Sequence, residues 1–387
     1  MIAFAAATLF TPLERIEQPL LLVEDGVITE VGSCARGEVP RSCRVVDFGD
    51  GVLAPGLIDI HIHGGAGHDV MEPSADALMA VEHLLARHGV SSYFPTTVTA
   101  PMDATLSALG RLAEAIEAAE RGSLSNELRA RPLGIHLEGP FLSHIRRGVH
   151  PPEDLLDPDP HVFEQFWQAS RGQIRLLTIA PELPGALEVI AQATELGVCV
   201  SVGHSDASLD ATRAAITAGA RHATHTFNAM RPLNHRDPGI LGEVLTDPRL
   251  SADIIADGIH VDPAIVQLFL MAKGHDAAVL ITDANAATGM PDGTYHLGPF
   301  EFEVRDGRCL SGGKLAGSVL TLDRAVRNTM EFAGWDLQQA IRLATVNPAR
   351  VTGLSTRGEV KAGARADLVV LSANGEVRQT IIGGAGV

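Results

Sequence analysis

Positive charge is scarce in this chain. Its 387 residues carry 30 Lys and Arg against 47 Asp and Glu, a formal net charge of −17. Clustered basic charge is the usual footprint of nonspecific binding to nucleic acid or anionic membranes, so neither is expected as a partner. Lysine is rarest: only Lys273, Lys314 and Lys361 occur. Cys34, Cys43, Cys199 and Cys309 are scattered with no CxxC pair, which speaks for a reducing, cytoplasmic setting without a disulfide framework. No run of about 18 uncharged apolar residues appears, and the start MIAFAAATLFTPLERI lacks the basic segment of a secretory signal. There is no internal repeat and no low-complexity linker. Hydrophobic residues at 45% and charged residues at 20% exclude a disordered or collagen-like chain.

Histidine, by contrast, is plentiful, with 16 residues. Between residues 52 and 357 short apolar runs alternate with helix-period stretches such as Ala75–Arg87, Ala104–Arg121, Gly185–Leu196, Leu209–Ala218 and Pro263–Lys273. The runs Gly56–His63, Ser91–Thr97, Leu133–Glu138, Ile174–Pro181, Val198–His204, His222–Phe227, Ser251–Asp257 and Val279–Asp283 read as eight strands. Strand–helix alternation implies a parallel sheet, and eight such units fit a closed (β/α)₈ TIM-like barrel of the α/β class. Residues 1–51 and 358–387 alternate instead with period two and read as hairpins that pair into one small β-sandwich from both termini. Residues 295–310 read as a hairpin inserted over the barrel mouth. Trp167 and Trp335 are expected on helices as packing residues, and Gly64–Gly67 as a tight turn.

In such a barrel the chemistry lies at the C-terminal ends of the strands. His61 and His63 end the first strand and, two apart, share a face. Glu138 ends the third, His204 the fifth, His225 the sixth and Asp283 the eighth. One histidine at a strand end is usually a satisfied polar residue; six ligand-type residues all at such ends point to divalent metal, with Zn, Fe, Mn or Co suited to these donors. His61, His63 and Asp283 would hold one ion and His204 and His225 a second, with Glu138 bridging them.

The segments APGLIDIHIHG, HLEGPFL, TIAPE, GHSDA, ATHTFNAM, HRDPG, ADGIHVD, ITDA and LAGS follow one another in this order. The chain thereby resembles the N-acetylglucosamine-6-phosphate deacetylase family of the amidohydrolase superfamily. The resemblance implies that Glu138, His204 and His225 form the principal metal site and that His61 and His63 form a second. It implies that Asp283 is the proton shuttle and that His150, beside Val149, sits near the acetamide carbonyl. Asn228, Ala229, Arg236 and His260 would contact the sugar phosphate, and Asp257, Gly258, Leu315, Ala316 and Gly317 would form further substrate loops. In that family the arginine comes from the neighbouring subunit, which implies a homodimer. The rival cyclic amidohydrolases bridge their metals with a carboxylated lysine on strand four, where IRLLTIAPE has none. A deacetylase for the galacto epimer stays open, as does a catalytically inactive scaffold relative, although every expected ligand is present.

Overall fold

Eight short parallel strands follow one another at Leu57–Ile62, Val90–Thr97, Ile135–Glu138, Ile174–Ile179, Cys199–Val202, His222–Ala223, Ala252–Ile255 and Ala278–Ile281. The computed structural model describes residues 1–11, 14–33, 43–121, 128–298 and 300–386; Cys34 lies outside them. The first strand pairs with the second, and pairing then runs in chain order from the second strand to the sixth. The seventh pairs with the eighth. Backbone hydrogen bonds also join the sixth and seventh strand regions, with Thr226 N to Asp253 O at 2.9 Å and Ser251 N to Arg221 O at 3.0 Å. Others join the eighth region to the first, with Asp283 N to His61 O at 2.9 Å and His63 N to Ala284 O at 2.8 Å. The result is a curled parallel sheet. Its strands are buried on both faces, as a sheet flanked by helices must be.

The intervening helices carry their own start and stop signals. Ala75–Arg87 begins after Ser74, whose side chain accepts from Ala77 N, and it buries Ala77, Val81, Leu84 and Leu85 along one stripe. Pro160–Ala169 and Pro263–Ala277 each follow an aspartate cap, Asp159 and Asp262, with proline in the first turn. Trp167 packs on the helix Pro160–Ala169, as expected. Trp335 does not lie on a helix: it sits in the link before Leu337–Arg342, stacked on His275 with ring centroids 4.1 Å apart. The Gly64–Gly67 segment does turn tightly, pairing Gly65 with His68.

Two small sheets flank this unit. One holds Ile2–Ala5, Pro19–Glu24, Val27–Ser33 and Arg44–Asp47. The other joins Thr8–Phe10, Arg15–Glu17 and Val52–Pro55 to Leu368–Leu371 and Val377–Ile381, so the two ends of the chain share one sheet. Phe4, Leu21 and Ile28 of the first sheet and Leu53, Leu368 and Ile381 of the second form one apolar cluster. The inserted segment is larger than a hairpin: Gly293–Leu297, Phe300–Arg305, Arg308–Ser311 and Lys314–Leu315 form a four-stranded antiparallel sheet. Gly298 N donates to Asp69 Oδ2 at 2.6 Å and ties this sheet to the loop after the first strand. Among the described residues, no helix is long and apolar enough to cross a membrane.

Glu82 shows how tightly a helix is held to the sheet. On Ala75–Arg87 it is 5% exposed, accepts from Tyr93 Oη of the second strand at 3.2 Å and pairs with Arg129 at 3.1 Å. Burial pushes its carboxyl up to about 7, with Arg129 and Tyr93 pulling the other way. Because the folded value lies above the usual one, this group favours the fold most at low pH and loses that contribution as pH rises through about 7. Relative to Glu82→Gln, the natural chain should therefore lose up to roughly 3 kcal/mol between pH 4.5 and 7.5 in urea unfolding. A pH-independent gap would mean that Arg129 keeps the carboxyl ionised throughout.

Candidate active site

Six titratable side chains from five strand ends meet at one rim. His61 lies within the first strand and His63 just follows it, while Glu138 is the last residue of the third. His204, His225 and Asp283 each lie two residues beyond a strand, with positive φ of 47°, 32° and 50°. Sequence periodicity placed these three in extended strands; instead the chain has already turned. The sixth strand, expected to reach Phe227, ends at Ala223. There Thr224 Oγ1 is bonded at 2.7 Å to Thr178 Oγ1 and at 2.5 Å to Ser201 Oγ, and the carboxylate of Asp253 accepts the His225 backbone N–H. Left-handed backbone at non-glycine residues is costly and persists where surrounding structure imposes it, often at functional sites.

Glu138 is the centre of the cluster. Its Oε1 lies 3.2 Å from His204 Nε2, 3.1 Å from His225 Nε2 and 3.5 Å from His61 Nε2, and its Oε2 lies 3.3 Å from His63 Nε2. The imidazole nitrogens are equally close to one another, at 3.0 Å between His204 and His225 and 3.2 Å between His61 and His63. Asp283 Oδ1 is 3.2 Å from His63 and 3.6 Å from His61. Lone pairs at such spacing repel unless protons or a cation stand between them. Donor–donor edges of about 3.3–3.4 Å are those of a tetrahedron with bonds of about 2.0–2.1 Å, so both triads fit a divalent ion. Those triads are His61, His63 and Glu138, and Glu138, His204 and His225.

Carbonyl partners set the tautomers. A carbonyl can only accept, so Thr96 O at 3.0 Å from His63 Nδ1 and Arg146 O at 3.0 Å from His204 Nδ1 leave each Nε2 lone pair for a metal. His150 is held the other way. The Thr99 backbone N–H donates to His150 Nδ1 at 3.3 Å, so the proton of its neutral ring sits on Nε2, 3.7 Å from Glu138 Oε2. Burial keeps this ring well below the usual imidazole range, hence neutral. His225 behaves oppositely: burial would depress it, but the hydrogen bond to Glu138 and nearby carboxylates hold it at about 9. Asp283 stays ionised because His61 and His63 outweigh its burial.

A cavity of about 230 Å³ opens beside these groups. It is lined by His63, Glu138, His204, His225 and Asp283 together with Val149, His150, Asn228, Ala229, His260, Leu315 and Gly317, all anticipated. Asp257 and Ala316 stand behind the lining. Asp257 Oδ2 accepts from His260 Nδ1 at 2.7 Å and so orients that ring, while buried Ala316 accepts the Asn285 amide through its carbonyl. Gly258, too, does not line the cavity. Gly317 is required as glycine: at φ +59°, a Cβ there would sit 2.8 Å from Asp283 O. Arg236 is exposed on the 231–238 loop and is not part of this chain's cavity wall. Sequence reasoning missed Val98, Gly148, Leu297 and Lys314 in the lining, and His136 beneath it, whose ring packs 4.5 Å from His61. His136 could have been found, since it stands two residues before Glu138 on the same strand face.

The amidohydrolase family profile matches residues 52–387. An N-acetylgalactosamine-6-phosphate deacetylase of Escherichia coli O157:H7 is 39% identical over 98% of this chain and 97% of its own length. An N-acetylglucosamine-6-phosphate deacetylase of Bacillus subtilis is 38% identical over 97% of this chain and 94% of its own length. A mutant N-acetyl-D-glucosamine-6-phosphate deacetylase of Mycobacterium smegmatis, solved with N-acetyl-D-glucosamine 6-phosphate, superposes with a TM-score of 0.91 at 37% identity, covering 100% of this chain and 98% of that one. The chain therefore belongs to the amidohydrolase family, among its amino-sugar-phosphate deacetylases.

Proposed function

We propose that this protein is a metal-dependent hydrolase that converts N-acetyl-D-glucosamine 6-phosphate and water to D-glucosamine 6-phosphate and acetate. The observation that carries the reading is the convergence of two triads sharing Glu138, an ionised Asp283 and the Nε2–H of His150 on one cavity. The relatives named for this reaction agree with it. The galacto epimer is the second reading, because the E. coli relative named for it is as similar.

A divalent cation held by His61, His63 and Glu138 or by Glu138, His204 and His225 would acidify a water for attack at neutral pH and act as a Lewis acid on the amide carbonyl. Two ions fit the two triads, Zn or Fe being the first candidates. Asp283 takes the water proton and passes it to the nitrogen as the C–N bond breaks. His150 donates its Nε2–H to the carbonyl oxygen as negative charge builds there. Asn228, Ala229 and His260 hold the sugar. Exposed Arg236, absent from its own cavity wall, would serve the phosphate bound by a second copy. The supporting architecture is a closed (β/α)₈ barrel over about 52–357 and a sandwich of residues 1–51 and 358–387. The hydrogen bonds across both breaks of the parallel sheet and the sheet shared by the two termini support that division.

Three outcomes are expected. Glu138→Gln removes the charge shared by both triads, so metal content by mass spectrometry and turnover should fall together; full activity in a metal-free preparation would end the reading. Asp283→Asn should retain metal at Glu138, His204 and His225 yet lose about 10²- to 10⁴-fold in kcat. Near-natural turnover would remove Asp283 from the proton path. For Arg236, subunits carrying Arg236→Ala are mixed with subunits carrying Asp283→Asn. In a mixed dimer, one site would combine both defects and the other neither, so acetate release should reappear on subunit exchange. No recovery, with exchange verified, would place Arg236 outside the neighbouring site.

A further inference from the structure

We propose that Lys314 is a specificity-determining residue that binds the substrate phosphate from within the same chain. The proposal rests on the deacetylase reading above. Of the described residues lining the cavity, Lys314 alone carries a permanent positive charge. The other two lysines are committed elsewhere. Lys273 Nζ donates to Val244 O at 2.8 Å and Leu250 O at 2.5 Å, and Lys361 pairs with Glu359. Lys314 Nζ meets only a neutral partner, Gly148 O at 3.2 Å, and among the described residues it forms no ion pair.

The placement follows from local structure. Ser311 pairs with Lys314 across Gly312 and Gly313, both at positive φ (54° and 80°), the backbone that a two-residue hairpin turn needs. Lys314 is the first residue after that turn and begins the strand whose next residue, Leu315, also lines the cavity. The hydrogen bond to Gly148 carries its ammonium across to the loop that bears His150. Lys314 is exposed, whereas Glu138 is 3% exposed at the metal-ligand end of the cavity. The substrate has the same polarity. Its acetamide, on C2, belongs at the buried metal ligands, and its phosphate, on C6 across the ring, belongs at the mouth. An ammonium held there by a carbonyl alone keeps two hydrogens for phosphate oxygens, and desolvating it costs less than burying it would. In a chain of net charge −17, an anionic substrate needs such a local cation at the entrance.

The test uses the metal-loaded full-length protein with Lys314→Met and Lys314→Arg. Acetate release is measured on N-acetyl-D-glucosamine 6-phosphate and on unphosphorylated N-acetyl-D-glucosamine. Calorimetry follows the binding of D-glucosamine 6-phosphate and of inorganic phosphate. With Met, KM for the phosphorylated sugar should rise about 10- to 150-fold with kcat much less affected, as expected for a lost charge-assisted hydrogen bond. The preference for the phosphorylated over the plain sugar should fall at least tenfold, phosphate-dependent binding should weaken in parallel, and Arg should restore most of each. Equal losses on both sugars, or unchanged binding of the phosphorylated product, would overturn the proposal and leave Lys314 a tie to Gly148. The Arg variant separates lost charge from a damaged hairpin. Mixing Lys314→Met with Asp283→Asn subunits should restore nothing, because both groups serve the same site; recovery would also overturn it. A natural protein that releases no acetate from either sugar would instead fail the deacetylase reading, while calorimetry with inorganic phosphate still decides the role of Lys314.

Discussion

The carboxylate of Glu138 is shared by four imidazoles, three of which approach a single oxygen to within 3.1–3.5 Å. That crowding is electrostatically untenable for neutral rings without protons or metal between them, and much of the surrounding structure serves to hold it. Backbone carbonyls of Thr96 and Arg146 orient His63 and His204, and Asp253 grips the backbone of His225 while its other oxygen pairs with His222 at 2.9 Å. For His63 and His204 the carbonyls leave the Nε2 lone pair turned to the centre, so a cation would meet at least these two donors preformed. His63 is held well above the usual imidazole range, the hydrogen bonds to Asp283 and Glu138 overcoming its burial. Metal and protons thus compete for the same nitrogens.

The second constraint is charge on a larger scale. An acidic protein with three lysines places each cation for a reason that can be read locally. Lys273 closes carbonyls after a short helix, Lys361 pairs with Glu359, and Lys314 reaches the cavity. Acid and neutral donor are likewise separated by environment at the reacting centre. Burial keeps His150 neutral and able to donate, while neighbouring imidazoles keep Asp283 ionised and able to accept a proton.

The appended sheets have different relations to this centre. The sheet shared by the two termini joins the sheet of Ile2–Ala5 in an apolar cluster around Phe4, Leu53 and Leu368. The four-stranded insertion instead contributes Leu297, Lys314 and Leu315 to the cavity wall and is tied down through Asp69. Its apolar residues Phe302, Val304 and Cys309 cluster with Ala287, and Val149 packs against them beside His150. Part of the cavity wall is therefore built on an element outside the parallel sheet, where sequence can vary without disturbing the candidate metal ligands.

The alternation of strands and helices was legible in the chain because buried parallel strands are continuous apolar runs bounded by capped helices. The ligand types were legible too: His61, His63, Glu138, His204, His225 and Asp283 stand where apolar runs stop, and periodicity marks such ends well. What periodicity cannot register is the turn just past them. His204, His225 and Asp283 take left-handed backbone held by contacts from segments distant in sequence, such as Asp253 to His225 and Gly317 packed against Asp283. His136 and Lys314 went unread for different reasons. His136 stands two residues before Glu138 on the same strand face, within reach of the alternation rule, whereas Lys314 enters from a separate hairpin and touches Gly148, far away in sequence. Local sequence determined which side chains could bind metal; tertiary packing decided which nitrogen faces the centre, which histidine keeps its proton and which lysine meets the cavity, because those are properties of partners brought together by folding.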